Sequence, residues 1–215
     1  MSKVRVHNFV VSLDGYASGE GQSLDAAFGH AQKEFLHWFG EIRIWRGLQP
    51  DGKFGADEAI ASAWGAGIGA EIMGRNKFRP TIGPWPEDGW RGWWGEDPPF
   101  HTPCFVWTHY PRDPLEMEGG TTFHFVGGTP AEILELARDA AGGLDVRIGG
   151  GPTTVNEFLR ADLVDYLHIV VVPIVLGRGV PLWNGLGGLH ERFGTSLVTS
   201  PSGVTHVFLT RRDRG

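Results

Sequence analysis

Between Val146 and Val172 the apolar positions change period twice. Val146 to Ile148 is a short β-rich run, three glycines and Pro152 follow, and Val155, Phe158 and Leu159 then recur at helical spacing. The pattern predicts a strand, a glycine turn and a helix. Proline is favoured at the first helical position, which makes Gly151 the N-cap. Leu163 to Val172 is an almost unbroken apolar run ended by Pro173, as in a strand buried on both faces.

The same reading extends to both ends of the chain. Val4 to Val11 is predicted to be a first strand, closed by the turn Ser12-Leu13-Asp14-Gly15. Asp25 to Phe39 has helical spacing, with Phe35, Trp38 and Phe39 on one aromatic face and Glu34 beside them. Ala56 to Trp64 reads as a helix, and Ala70 to Met73, Pro103 to Trp107 and Thr121 to Val126 read as strands. Thr129-Pro130-Ala131-Glu132 is a capping box that opens a helix through Ala141. Two closing strands, near Glu191 to Val198 and Val204 to Thr210, form an antiparallel hairpin. The predicted class is α/β: a mixed, mostly parallel central sheet with helices on both faces and a C-terminal antiparallel hairpin.

Composition narrows the function classes. A chain of 215 residues is read as a single domain, 1–215, able to bury about 70% of its unfolded surface. A net charge of -6 argues against a general nucleic-acid or membrane-surface binder. No apolar run approaches a membrane span and the N-terminus leads directly into Val4-Arg5-Val6, so a soluble, cytoplasmic protein is expected. Cys104 is the only cysteine, which excludes an internal disulfide and a cysteine-based zinc site; it is read as a packing residue. The nine histidines are scattered, with no H-E-x-x-H, so no metal is expected, and a G-x-S-x-G elbow is missing.

Candidate chemistry concentrates at strand ends. Gly149, Gly150 and Gly151 bring bare backbone to a helix start, where free amides and the positive dipole end attract an anion; a tight turn alone explains the triplet equally well. Gly65 to Ala70 fits G-x-G-x-x-A, but it closes a helix and leads into a strand, so it is rejected as a dinucleotide loop. Met73 to Phe78 places Arg75 and Lys77 at a turn that can gather round a phosphate. Gly83 to Pro99 holds four tryptophans among glycines and prolines; most belong to core or a partner, and Trp93 and Trp94 are the candidates for a flat ligand. Asp14 reads as a turn former or as a polar group at a cleft mouth.

Taken in order, Ser12-Leu13-Asp14-Gly15, Met73-Gly74-Arg75, Thr108-His109, Gly149-Gly150-Gly151, Leu163-Val164-Asp165 and Pro173 to Gly179 resemble the dihydrofolate reductase-like superfamily. The likeness is closest to the branch typified by the reductase domain of the bifunctional riboflavin-biosynthesis enzyme. Asp162 and Tyr166 depart from the usual pattern around Leu163-Val164-Asp165. The resemblance implies NADPH across the carboxyl ends of the strands. Gly74, Arg75 and Asn76 would then sit near the adenosine-side phosphates, Thr108 and His109 near the adenosine end, and Gly149 to Gly151 with Thr153 under the pyrophosphate. Arg75, with His109 or Arg112, would favour the 2′-phosphate. It further implies a reductase of a pterin- or pyrimidine-like heterocycle, with Asp14 or Glu34 supplying or holding the proton, and a homodimer. The competing reading is a non-catalytic nucleotide-binding protein of the same fold.

Overall fold

The structure, a computed structural model, describes residues 2–43 and 55–213. Residues 44–54 lie outside the described residues. The elements are β1 (Val4–Ser12), β2 (Tyr16–Ser18), α1 (Gln32–Glu41), α2 (Ala56–Ser62), β3 (Ile68–Gly74), α3 (Arg75–Phe78), β4 (Pro103–Trp107), β5 (Arg112–Glu116) and β6 (Thr122–Val126). They continue with α4 (Pro130–Ala140), β7 (Asp145–Gly150), α5 (Pro152–Arg160), β8 (Tyr166–Val172), β9 (Val180–Pro181), α6 (Leu189–Arg192), β10 (Phe193–Thr199) and β11 (Thr205–Arg211).

Among the described residues nine strands form one sheet in the order β10-β11-β8-β1-β7-β3-β4-β6-β5. The centre, from β8 to β6, is parallel, whereas β10, β11 and β5 pair antiparallel at the two margins. This is the mixed sheet with a C-terminal hairpin that the sequence predicts. Alternation along the strands separates two faces. Val4, Val6, Ala70, Ile72, Val146 and Ile148 pack with Ile133, Leu134, Val155 and Phe158 of α4 and α5. On the other face Val10, Val170 and Val172 pack under Phe35 and Trp38 of α1, and Met73, Val106 and Phe123 pack under Phe78 and the tryptophan loop. Phe35 is fully buried, which stabilises the fold by about 1.5–3 kcal/mol.

Local signals fixed several boundaries. Thr129 Oγ1 accepts the Glu132 N–H while Glu132 accepts the Thr129 N–H, completing the capping box before α4. Gly65 to Gly67 end the α2 region and β3 begins at Ile68, so the G-x-G-x-x-A stretch is a helix end and strand start. Long-range contacts moved other boundaries. The helix expected from Asp25 starts at Gln32, because Gly19, Glu20, Phe28 and His30 hydrogen-bond one another and Gly29 turns at φ +57° against the Glu20 carbonyl. The strand expected from Leu163 starts at Tyr166. Ahead of it Asp162 accepts hydrogen bonds from Arg192 and Arg211, and the Asp165 carboxylate accepts the Val4 N–H. Leu189 to Arg192 form a short helix, so the closing hairpin begins at Phe193 rather than near Glu191. Arg112 to Glu116 is an edge strand rich in charge and proline, which the apolar pattern did not reveal.

The histidines are less scattered than the sequence suggests. Asn8 N–H donates to His168 Nδ1 at 3.1 Å, so the ring proton of His168 is on Nε2. That proton is donated to His206 Nδ1 at 2.9 Å, and His206 Nε2–H donates to Asp57 Oδ1 at 2.6 Å. One chain of bonds therefore ties β1, β8, β11 and α2 together with both imidazoles neutral. Burial, then His206 and His7, depress the His168 pKa from 6.5 to about 3. Below pH 6.5 the unfolded chain binds a proton that the native chain refuses, so stability falls as pH drops from about 6.5 toward 3. We expect His168 to remove about 2 kcal/mol of stability between pH 7 and pH 5. His168→Gln keeps an acceptor and a donor without titrating; urea unfolding at the two pH values should show a loss smaller by that amount. An unchanged pH dependence would remove His168 from this account.

Candidate functional site

Strands β7, β3 and β4 are adjacent and parallel, with Met73 opposite Gly150 and Gly74 opposite Trp107. Gly149 to Gly151, Gly74 to Asn76, and Thr108 with His109 therefore stand side by side at three consecutive carboxyl ends. At about 4.8 Å per strand they span roughly 10 Å, the scale of a pyrophosphate and its ribose. This edge is where ligands of α/β sheets bind.

The three glycines differ in what surrounds them. A side chain on Gly149 would collide with the Glu71 carboxylate and the Lys77 ammonium. Gly150 sits at φ +112°, and a Cβ there would come 3.0 Å from the Phe9 ring. Gly151 has φ -74°, and a Cβ would meet nothing within 4 Å. Gly151 is the N-cap of α5, with Pro152 in the first turn, as the sequence predicts. The amides of Thr153 and Thr154 belong to the helix start, which has no internal acceptors, and they carry the positive dipole end. Thr153 is exposed, while the Thr154 hydroxyl lies where a Cβ on Gly74 would have to go. Only Gly151 and the helix start present open backbone; Gly149 is packed against an ion cluster instead.

Beyond β4 lies a cavity of about 680 Å³, lined by Trp85, Trp90, His109, Tyr110 and Arg112 among others. The Arg75 guanidinium lies 4.2 Å from the Trp85 ring and 5.1 Å from Tyr110, and donates to Thr81 Oγ1 at 3.0 Å. Arg112 lies 4.0 Å from the Phe125 ring and 4.6 Å from Trp85. Neither arginine has a carboxylate partner among the described residues, and the Nε of each is buried without an acceptor. Burial, then neighbouring Arg79 and Arg75, lowers the Arg112 pKa; burial likewise lowers that of Arg75. Cations held this way attract an anion strongly. Thr108 is buried, its hydroxyl accepting the Tyr110 N–H at 3.1 Å, and so shapes this turn; Asn76 faces solvent.

The expected proton donors are placed differently. Asp14 accepts hydrogen bonds from Ser12 Oγ at 2.6 Å, Leu176 N at 3.1 Å and Gly177 N at 2.7 Å. The Ser12 bond, with those two amides, holds the Asp14 carboxyl down at about 2. Asp14 thus closes a turn, beside a cavity of about 300 Å³ that also touches Val11, Ile169 and Trp183. Glu34 is exposed on α1, whose inward face is taken by Phe35 and Trp38. The tryptophan loop is fastened by indole N–H groups to the end of α3: Trp93 Nε1 donates to Lys77 O at 2.7 Å, and Trp90 Nε1 to Phe78 O at 2.9 Å. Trp94 stacks on Phe123 and meets Phe100 edge-on. Trp93 and Trp94, the expected contacts for a flat ligand, are half-buried, with the Trp93 N–H and one face of Trp94 engaged within the protein. Cys104 is fully buried and its thiol is pushed well up by that burial, in keeping with packing. Among the described residues no three His, Cys, Asp or Glu side chains form a metal-holding group, and no helix is long and apolar enough to cross a membrane.

The different packing of the glycines gives a stability test. Gly150→Ala should lower unfolding free energy by about 1–3 kcal/mol, because a left-handed backbone and the Phe9 ring both oppose the methyl group. Gly151→Ala should stay within about 0.5 kcal/mol of the parent. Denaturant melts of both variants check this.

The RibD C-terminal domain family model matches residues 3–199. YwjB of Bacillus subtilis, an uncharacterised protein, is 43% identical over 83 residues, which are 39% of this chain and 45% of that one. The match thus spans less than half the length of that relative. Among solved structures, one from Shewanella sp. PV-4 described as a riboflavin biosynthesis protein superposes with a TM-score of 0.57 at 22% identity, covering 99% of this chain and 100% of the other. The diaminohydroxyphosphoribosylaminopyrimidine deaminase/5-amino-6-(5-phosphoribosylamino)uracil reductase of Thermotoga maritima gives 0.54 at 13% identity, covering 98% of this chain and 57% of that one. With nearly the whole chain matched by the family model and the fold shared, the protein belongs to the RibD C-terminal domain family.

Proposed function

We propose that the protein is an NADPH-dependent reductase of a small pyrimidine- or pterin-like heterocycle. The observation that carries the reading is Gly151: it alone of the three glycines opens onto empty space, at a helix start, on the strand edge that leads to the arginine cavity. NADPH, when bound, supplies a hydride. The amides of Thr153 and Thr154 would hold the pyrophosphate, and Thr153 is exposed. His109, Tyr110 and Trp85 would flank the adenosine, with Arg112 and Arg75 toward the 2′-phosphate. The Thermotoga maritima protein is named for reduction of an aminouracil, and family membership supports the same substrate class here.

The residues that would move a proton are less favourably set. The Asp14 carboxyl is held ionised by three donors, and Glu34 faces solvent. The proton for the reduced heterocycle would then come from water rather than from either carboxylic acid. The same observation favours the second reading, a nucleotide-binding protein without turnover. NADPH consumption in the presence of aminouracils, dihydropterins and related heterocycles separates the two. Turnover with any one supports the reductase; tight NADPH binding with no turnover across the panel supports the binding protein.

Arg112→Ala should weaken NADPH at least tenfold, about 1.4 kcal/mol, and change NADH binding less than twofold. Equal losses for the two cofactors, measured by calorimetry, would take Arg112 away from the 2′-phosphate.

A further inference from the structure

Lys77 Nζ lies 2.9 Å from Glu71 Oε1 and 2.9 Å from the Gly149 carbonyl oxygen. Glu71 has no exposed surface, and its second oxygen is held in a fork by Nε and Nη2 of Arg147, whose side chain is 4% exposed. Arg147 is itself fixed, with its guanidinium 3.9 Å from the Trp64 ring and Nη1 donating to Trp64 O at 2.8 Å. One carboxylate therefore faces two cations. Arg147 alone would neutralise Glu71, so charge balance does not call for Lys77. What Lys77 adds is the bond to Gly149.

That bond decides which way the glycine loop presents itself. A carbonyl oxygen turned toward a phosphate repels it, whereas an amide attracts it. Lys77 draws the Gly149 oxygen down to the sheet face, and Gly149 has no side chain because Glu71 and Lys77 fill that space. The surplus positive charge then sits against the loop, beside a carboxylate and a guanidinium that water does not reach. The Lys77 side chain is 27% exposed, so it is placed between the buried pair and the site edge.

We infer that Lys77 is a positioning residue for the cofactor pyrophosphate, acting through the Gly149 carbonyl and anchored by the Glu71–Arg147 pair. The inference rests on the cofactor reading above. The chemical class recognised is a dinucleotide pyrophosphate, distinct from the adenosine 2′-phosphate expected at Arg112. Lys77→Met leaves Glu71 paired with Arg147 and so spares the buried charge balance.

The experiment is calorimetric titration of wild type, Lys77→Met and Lys77→Arg with NADPH and with 2′-AMP, which has the 2′-phosphate but no pyrophosphate. Lys77→Met should weaken NADPH at least tenfold and 2′-AMP less than twofold, and Lys77→Arg should recover NADPH affinity to within threefold of wild type. A matching loss for both ligands would show a general structural role and overturn the inference. Unchanged NADPH affinity in Lys77→Met would overturn it as well. Wild type that binds no NADPH would overturn the cofactor reading itself, a failure visible before any variant is made.

Discussion

Glu71 is a charge with no access to water, in the strand at the middle of the candidate site's edge, and the structure around it is arranged to keep that charge tolerable. Burial by itself would raise its pKa; Arg147 and Lys77 more than offset this and hold the carboxyl below its usual range. Removing one partner from a buried pair of this kind costs about 3–5 kcal/mol, because an uncompensated charge stays behind. The Glu71–Arg147 fork also crosses from β3 to β7, opposite residues in register, so it fixes the two strands whose ends carry Gly74 and the glycine loop. Stability and site geometry meet in the same side chains.

A second set of buried polar groups lies further along the same sheet face. Asp57, His206, His168 and the Asn8 amide form one chain of hydrogen bonds under α1 and α2, with each ring nitrogen satisfied. The edge formed by β7, β3 and β4 contrasts with it. The histidine chain is complete and ends on the Asp57 carboxylate, so it rigidifies the strands, whereas Arg75 and Arg112 keep unpaired donors and depressed pKa values beside a cavity. The completed network holds the fold, and the unpaired donors of Arg75 and Arg112 are what make them candidates for an anion.

What could be read from the sequence was local. The Gly151 cap with Pro152, the Thr129 capping box and the rejection of Gly65 to Ala70 as a dinucleotide loop depend on neighbours within a few residues, and all appear in the structure. The grouping of Gly74, Thr108 and Gly149 to Gly151 is what the family resemblance implies, and the parallel register of β7, β3 and β4 sets their strand ends side by side. The rest depended on distant contacts. Lys77 meets Gly149 across 72 positions, and His168 meets His206 across 38. The bond from the Trp93 N–H to the Lys77 carbonyl spans 16 positions and is likewise invisible in the local pattern. Asp14 and Glu34 stand out in the sequence by position, at a strand end and beside an aromatic helix face, and position alone does not show that Ser12 and two amides bond the Asp14 carboxylate or that Glu34 is exposed.

The central claim is that the edge formed by β7, β3 and β4 is a dinucleotide site selective for a 2′-phosphate. Calorimetric titration of the purified protein with NADPH, NADH and FMN in parallel tests it most directly. The account predicts micromolar NADPH binding, clearly weaker NADH binding and no heat from FMN. Absence of NADPH binding, equal affinity for NADH, or binding of FMN alone would contradict it.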